Sequence, residues 1–168
     1  MTRVGYAATT VEMIRDGAGI SRRTFYDHFA DRDTVVLAYF DASTVQLLAA
    51  IDAAVAGETI APPGQIDAGV VAALELVAEH PDAAGAWLTP AGRSHEQLAD
   101  HRLEALAALE RRLAAGLRAE GRRVPSAVGL ELRVGAVCEV VRRRLLAREA
   151  PVVDLAQVLT SVLRQPVD

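Results

Sequence analysis

Donor side chains are concentrated in one stretch, Ser21-Arg22-Arg23-Thr24-Phe25-Tyr26-Asp27-His28-Phe29-Ala30-Asp31-Arg32. Ser21 is of the type that caps a helix, and Phe25 and Phe29 at i, i+4 define its inner face. Arg22, Arg23, Tyr26 and Asp27 then lie on the opposite face. A guanidinium matches guanine O6 and N7 with two bonds, so Arg22 and Arg23 suit base reading in a major groove. Ser21, Thr24, Tyr26 and His28 can donate to phosphates and set register without reading sequence, and Arg32 is placed to hold one more phosphate. For Arg22 and Arg23 the alternative is a solvated helix face, and for His28 an ordinary exposed histidine.

These residues need a frame. Upstream, Thr9 and Glu12 have capping-box spacing, with Val11 and Ile14 on one face of a helix that Gly17-Ala18-Gly19 ends after two turns. Two short helices around a glycine-containing turn, apolar inward and Arg/Tyr outward, make a helix-turn-helix whose second helix enters the major groove. Up to Asp33 the arginines at 3, 15, 22, 23 and 32 are matched by Glu12, Asp16, Asp27, Asp31 and Asp33. The segment is therefore neutral, and non-specific DNA affinity should be modest and salt-sensitive.

The whole chain has 168 residues, enough for one mid-sized domain or a small one joined to a larger, with 51% apolar and 24% charged residues. Thirty-two alanines against six Phe plus Tyr favour helix over strand. All 18 basic residues are Arg, a bias that points to genome base composition rather than to function, and the net charge is −4. Cys138 is the sole cysteine, which excludes an intrachain disulfide and suits a reducing compartment. The first residues show no apolar signal region, and no stretch of about 18 uncharged apolar residues appears, so neither a secretory signal nor a membrane span is expected. The expectation is a cytoplasmic protein.

Asp31 starts a long helix with Val36, Phe40, Leu47, Ile51 and Val55 as its stripe, ended by Gly57 and Pro62-Pro63-Gly64. Ile66, Val70, Leu74 and Val77 mark the next, stopped at His80 by Pro81. A short helix over 82–88 precedes the loop Thr89-Pro90-Ala91-Gly92. Ser94 with Gln97 forms a second capping box for a helix to Gly121, carrying Leu98, Leu106, Leu109, Leu113 and Leu117. Pro125 to about Arg148 and Val152 to Leu163 complete some eight helices, without repeats or low-complexity tracts. The fold class is all-α, with an N-terminal helix-turn-helix in 1–43 joined to a larger helical domain in 44–168.

Gly5-Tyr6-Ala7-Ala8-Thr9-Thr10-Val11-Glu12-Met13-Ile14 and Ala18-Gly19-Ile20-Ser21 through Arg32 together resemble the DNA-binding segment of TetR-family transcriptional regulators. The resemblance covers roughly residues 5–40. It implies that Arg22, Arg23 and Tyr26 contact bases, and that Thr10, Thr24, His28 and Arg32 contact the backbone or orient the recognition helix. It further implies a repressor that binds a palindromic double-stranded DNA operator as a homodimer and responds to a small apolar effector. The family has a helix ahead of the Gly5 position, and only four residues precede Gly5 here. That helix is expected to be missing, leaving Val11, Ile14, Phe25 and Phe29 short of a partner. Each such buried side chain is worth roughly 1.5–3 kcal/mol. The two explanations are a chain that starts late and a dimeric helical ligand-binding or interaction module that has lost DNA binding.

Beyond the resemblance, Trp87 among small residues reads as core filler or as lining of an effector cavity, with His101 and Cys138 as further pocket candidates. Cys138 beside Val137 reads as an inert buried thiol rather than a redox sensor. Gly129, Gly135 and Ala136, small residues that permit close approach, with the apolar Val137, Val141, Leu145, Leu155, Val158, Leu159 and Val162 suggest a two-helix dimer seam, the alternative being an intrachain core. The run Arg142-Arg143-Arg144 reads as a salt-bridged face, given Glu139 and Glu149. His80, His95 and His101 lack metal-ligand spacing, so no metal or cofactor is expected. No phosphate loop, nucleophile elbow or HExxH motif occurs, which makes the chain a non-enzyme by expectation.

Overall fold

Side-chain caps start the first three helices of the computed structural model, which describes residues 9–57, 64–88, 96–147 and 152–165. The hydroxyl of Thr10 accepts from the Met13 N–H at 3.2 Å, that of Ser21 from the Thr24 N–H at 3.0 Å, and Asp31 Oδ1 from the Thr34 N–H at 2.8 Å. They open α1 (Val11–Ala18), α2 (Arg22–His28) and α3 (Arg32–Val55). The first cap is thus Thr10, not Thr9. Thr10 has the extended backbone a cap needs, whereas Thr9 is buried and its carbonyl accepts from Arg32. Between α1 and α2, Gly19 adopts φ 65°, a left-handed conformation that glycine enters without a Cβ penalty.

The remaining elements are α4 (Gln65–Glu79), α5 (Pro81–Leu88), α6 (Glu96–Ala119), α7 (Ala127–Ala147), a 3-10 turn (Val152–Leu155) and α8 (Ala156–Arg164). Among the described residues the chain is all-α, with eight α-helices and no strand. The expected loops at 62–63 and 89–92, the Ser94 cap, Glu149 and everything before Thr9 lie outside the described residues.

Two apolar clusters hold α3 to α8 together. One unites Phe40, Leu74, Trp87, Leu88, Ala105, Val141 and Leu159; the other joins Ile66, Leu113, Leu117, Val134 and Leu163. A polar knot fixes the last helix. The Arg164 guanidinium donates to both carboxylate oxygens of Glu120, at 2.8 and 2.7 Å, and to Asp67. Buried Arg133 donates to the carbonyls of Leu163 and Gln165 at the C-terminal end of α8.

Helix α3 runs unbroken through positions 43 and 44, whose hydroxyls donate back to the Tyr39 and Phe40 carbonyls at 2.8 and 2.9 Å. The expected boundary at 43/44 lies within this helix. By length and composition α3 is apolar enough to cross a membrane, with a mean hydropathy of 1.6 over an 18-residue stretch, a property that core helices share. In the fold its Val36 and Phe40 are buried, and it packs along α4 and against α6.

Candidate nucleic-acid interface and cavity

The apolar side of the N-terminal unit closes on Phe25, which has no solvent exposure. Its ring meets Tyr26 edge-on at 5.2 Å and Phe29 at 5.9 Å. Val11, Ile14 and Phe29 are half-buried. Phe25 faces inward, and Arg22, Arg23 and Tyr26 are all exposed. The Arg22 guanidinium lies 5.7 Å from the Tyr26 ring centroid, a cation–π contact that aligns the two side chains on one surface. Arg23 is 4.0 Å from Asp27, an exposed pair of little energetic weight.

The other expected contacts divide. His28 is exposed at the end of α2. Ser21 and Thr24 hydroxyls bond each other at 2.9 Å while Ser21 caps the helix, so both first serve to form α2. Thr10 likewise serves as a cap. Arg32 is committed inside the unit: NH1 donates to the Thr9 carbonyl at 3.2 Å and Nε to Asp33 at 3.0 Å, with the side chain only 28% exposed. It ties the start of α1 to the start of α3, where the sequence had suggested a phosphate ligand.

Residues 1–39 match the family described as bacterial regulatory proteins, tetR family. This chain carries the tetR-family DNA-binding segment. The family is one of DNA-binding transcriptional regulators, and the match places α1, α2 and the first turns of α3 within it. No curated protein matches the chain.

Behind the tetR-family segment, α3 to α8 line a cavity of about 510 Å³ that is open to solvent on one side. Its walls are aliphatic, including Ile51, Val55, Ile66, Leu74, Leu113, Val134 and Val137. Trp87 lines it and is also part of the core. Its ring stacks on Phe40 at 5.7 Å and 2°, Nε1 donates to the Thr44 hydroxyl at 2.8 Å, and the Arg102 guanidinium lies 5.7 Å from its ring centroid. Cys138 also lines the cavity, and burial pushes its thiol up to about 11, which keeps it protonated and inert.

His101 does not line the cavity. It lies to one side of the Leu98–Ala105–Leu109 stripe of α6, and its Nδ1 meets Asp41 Oδ1 at 2.6 Å on the outer flank of α3. Sequence reasoning missed two features of the cavity. The Asp52–Arg112 ion pair joins α3 to α6, at 2.8 and 2.6 Å between residues 60 apart. His80, at the end of α4, joins the lining. Neither has a local sequence signal beyond adjacency to an apolar stripe.

The proposed dimer seam also divides. Val141 and Leu159 are buried in the core of one chain, and Val137, Leu145 and Leu155 pack against it. These five take up the intrachain alternative, because the inner faces of α7 and α8 close on α4 and α6. Val162 is half-buried and Gly135 is exposed, with open space where a Cβ would stand. The outer face of α7 presents Val128, Leu132, Val140 and Leu146 beside Ala136 of the expected seam, and α8 presents Val158, also of that seam. The arginine run is salt-bridged as expected where it is described. Arg142 and Arg143 both donate to Glu139 at 2.7–2.8 Å, holding that carboxyl at about 2.

Proposed function

We propose that the chain is a ligand-responsive, cytoplasmic transcriptional regulator of the repressor type. A homodimer would present two α2 helices to successive major grooves of a palindromic operator, about one DNA turn apart. The observation that carries the reading is the make-up of α2, which buries Phe25 and leaves Arg22, Arg23 and Tyr26 in solvent within the tetR-family segment. Arg22 and Arg23 would read bases, Tyr26 would contact bases or phosphate, and Ser21, Thr24 and His28 would add backbone contacts.

The exposed apolar face of α7, with Gly135 allowing close approach and Val158 of α8 beside it, supplies the surface for a second copy. A small apolar effector would occupy the cavity lined by Trp87 and Cys138. Since α3 both lines the cavity and follows directly on the DNA-binding segment, an effector that binds one position of α3 better than another shifts the spacing of the two recognition helices.

The test is fluorescence anisotropy of the chain with duplexes tiling the DNA around its own coding region, at low and moderate salt. A double variant, Arg22→Ala with Tyr26→Ala, is measured beside it. Saturable binding to one duplex that the variant loses is the expected result. A folded, dimeric protein that binds none of the duplexes would replace this reading with a ligand-binding or interaction module.

A further inference from the structure

We propose that the cavity selects ligands without net charge, because the only carboxylate and the only guanidinium in its described lining are already closed on each other. The inference rests on the reading of the cavity as an effector site. Asp52 and Arg112 form a two-bond pair, Nε to Oδ1 at 2.8 Å and NH2 to Oδ2 at 2.6 Å, and NH1 donates to the Ala108 carbonyl at 3.2 Å. Each guanidinium nitrogen thus has a partner within the chain.

A ligand carboxylate has two routes in. It can be buried against aliphatic walls with its charge unpaired, or it can take Arg112 from Asp52 and strand that side chain. The first route leaves an anion unpaired against aliphatic walls, where burial without a counter-charge costs most, and the second breaks a two-bond pair and returns Asp52, 57% exposed, to water alone. A ligand ammonium meets the same difficulty, because the one carboxylate in the described lining is already paired with Arg112. The other polar lining offers no substitute. The Ser43 hydroxyl donates to the Tyr39 carbonyl, and the Cys138 thiol stays protonated. His80 stands at the C-terminal end of α4, where the terminal carbonyls of the helix oppose an anion. The amides of Gln46 and Gln65 are neutral and suit a ligand hydroxyl or carbonyl. The ligand class is therefore a hydrocarbon-rich alcohol, ketone, ester or amide.

The experiment compares decanol, decanoate and decylammonium, one chain length with three head groups, in binding to the full chain. Trp87 emission is the readout, since it is the sole tryptophan and lines the cavity. Displacement of the neutral dye N-phenyl-1-naphthylamine is a second readout. Decanol is expected to bind at least about tenfold tighter than either ion. Asp52→Asn frees Arg112, and in that variant the decanoate-to-decanol affinity ratio rises by about tenfold. Asp52 is more than half exposed, so the variant keeps its fold. Decanoate or decylammonium binding as tightly as decanol overturns the inference and leaves the cavity reading standing. Failure of the dye and all three probes to bind overturns the cavity reading, and the inference with it.

Discussion

Replacing Arg32 with alanine separates two roles that sequence alone assigns equally well. In the structure the guanidinium reaches back 23 residues to the Thr9 carbonyl at 3.2 Å, just before the Thr10 cap of α1, and is only 28% exposed. A hydrogen bond from a charged donor contributes about 1.5–3 kcal/mol, and partial exposure with a long bond places this one near the lower end. Loss of about 1.4 kcal/mol changes an opening equilibrium about tenfold. Amide exchange in α1, notably at Met13 and Ile14, whose N–H groups bond Thr10, should therefore accelerate about tenfold in Arg32→Ala. The slope of log affinity for a bound duplex against log salt should stay at its wild-type value, because no phosphate contact is removed. An Arg32 on phosphate gives the opposite pattern: the slope falls by about 0.9 while exchange in α1 is unaltered. That outcome would refute the assignment of Arg32 as an internal tie.

Two further predictions concern the larger domain. Phe40→Ala removes a ring that is 5% exposed and stacked on Trp87, so stability should fall by about 3–5 kcal/mol, lowering Tm by roughly 10 °C with a red-shifted Trp87 emission; a loss under about 1 kcal/mol would mean that Phe40 is not core. The hydrogen bond to Asp41 raises the pKa of His101 above 6.5, helped by the charges of Asp41, Glu104 and Asp100. The protonated form is favoured in the folded state, so the stabilisation is complete below the unfolded pKa and is lost as pH rises through the folded one. Comparing urea midpoints at about pH 5.5 and about pH 8.5, the wild type should lose more stability on going to the higher pH than His101→Gln does; equal losses would show that the His101–Asp41 pair is not linked to folding.

Much of the architecture is legible locally because helix boundaries are local chemistry. Ser21 and Asp31 cap α2 and α3 as their types and positions indicate, Gly19 ends α1, and Pro81 stops α4 at His80. The expectation misplaced the first cap by one residue. Thr9 and Thr10 are the same residue type, and only the burial of Thr9 under Arg32 distinguishes them. The outward face of α2 was equally readable, because the i, i+4 spacing of Phe25 and Phe29 names the inner side without knowledge of anything packed on it.

What lay beyond the sequence shares one property: it depends on which helix faces which. The apolar run in α7 and α8 fits an intrachain core and a second-copy surface equally well. The packing assigns Val141 and Leu159 to the core and leaves Val128, Leu132 and Leu146 outside. His101 and Trp87 were equal candidates for the cavity until α6 turned one toward Asp41 and α5 laid the other against Phe40. The Asp52–Arg112 pair, which closes the charge of the cavity, spans 60 residues and carries no periodicity of its own. Sequence by itself determined the helices, the caps of α2 and α3 and the inner side of α2, because these follow from interactions within about four residues along the chain. Only the tertiary structure decided the cavity, its paired charges and the exposed face of α7, because side chains of identical type acquire different roles from neighbours far away in the chain.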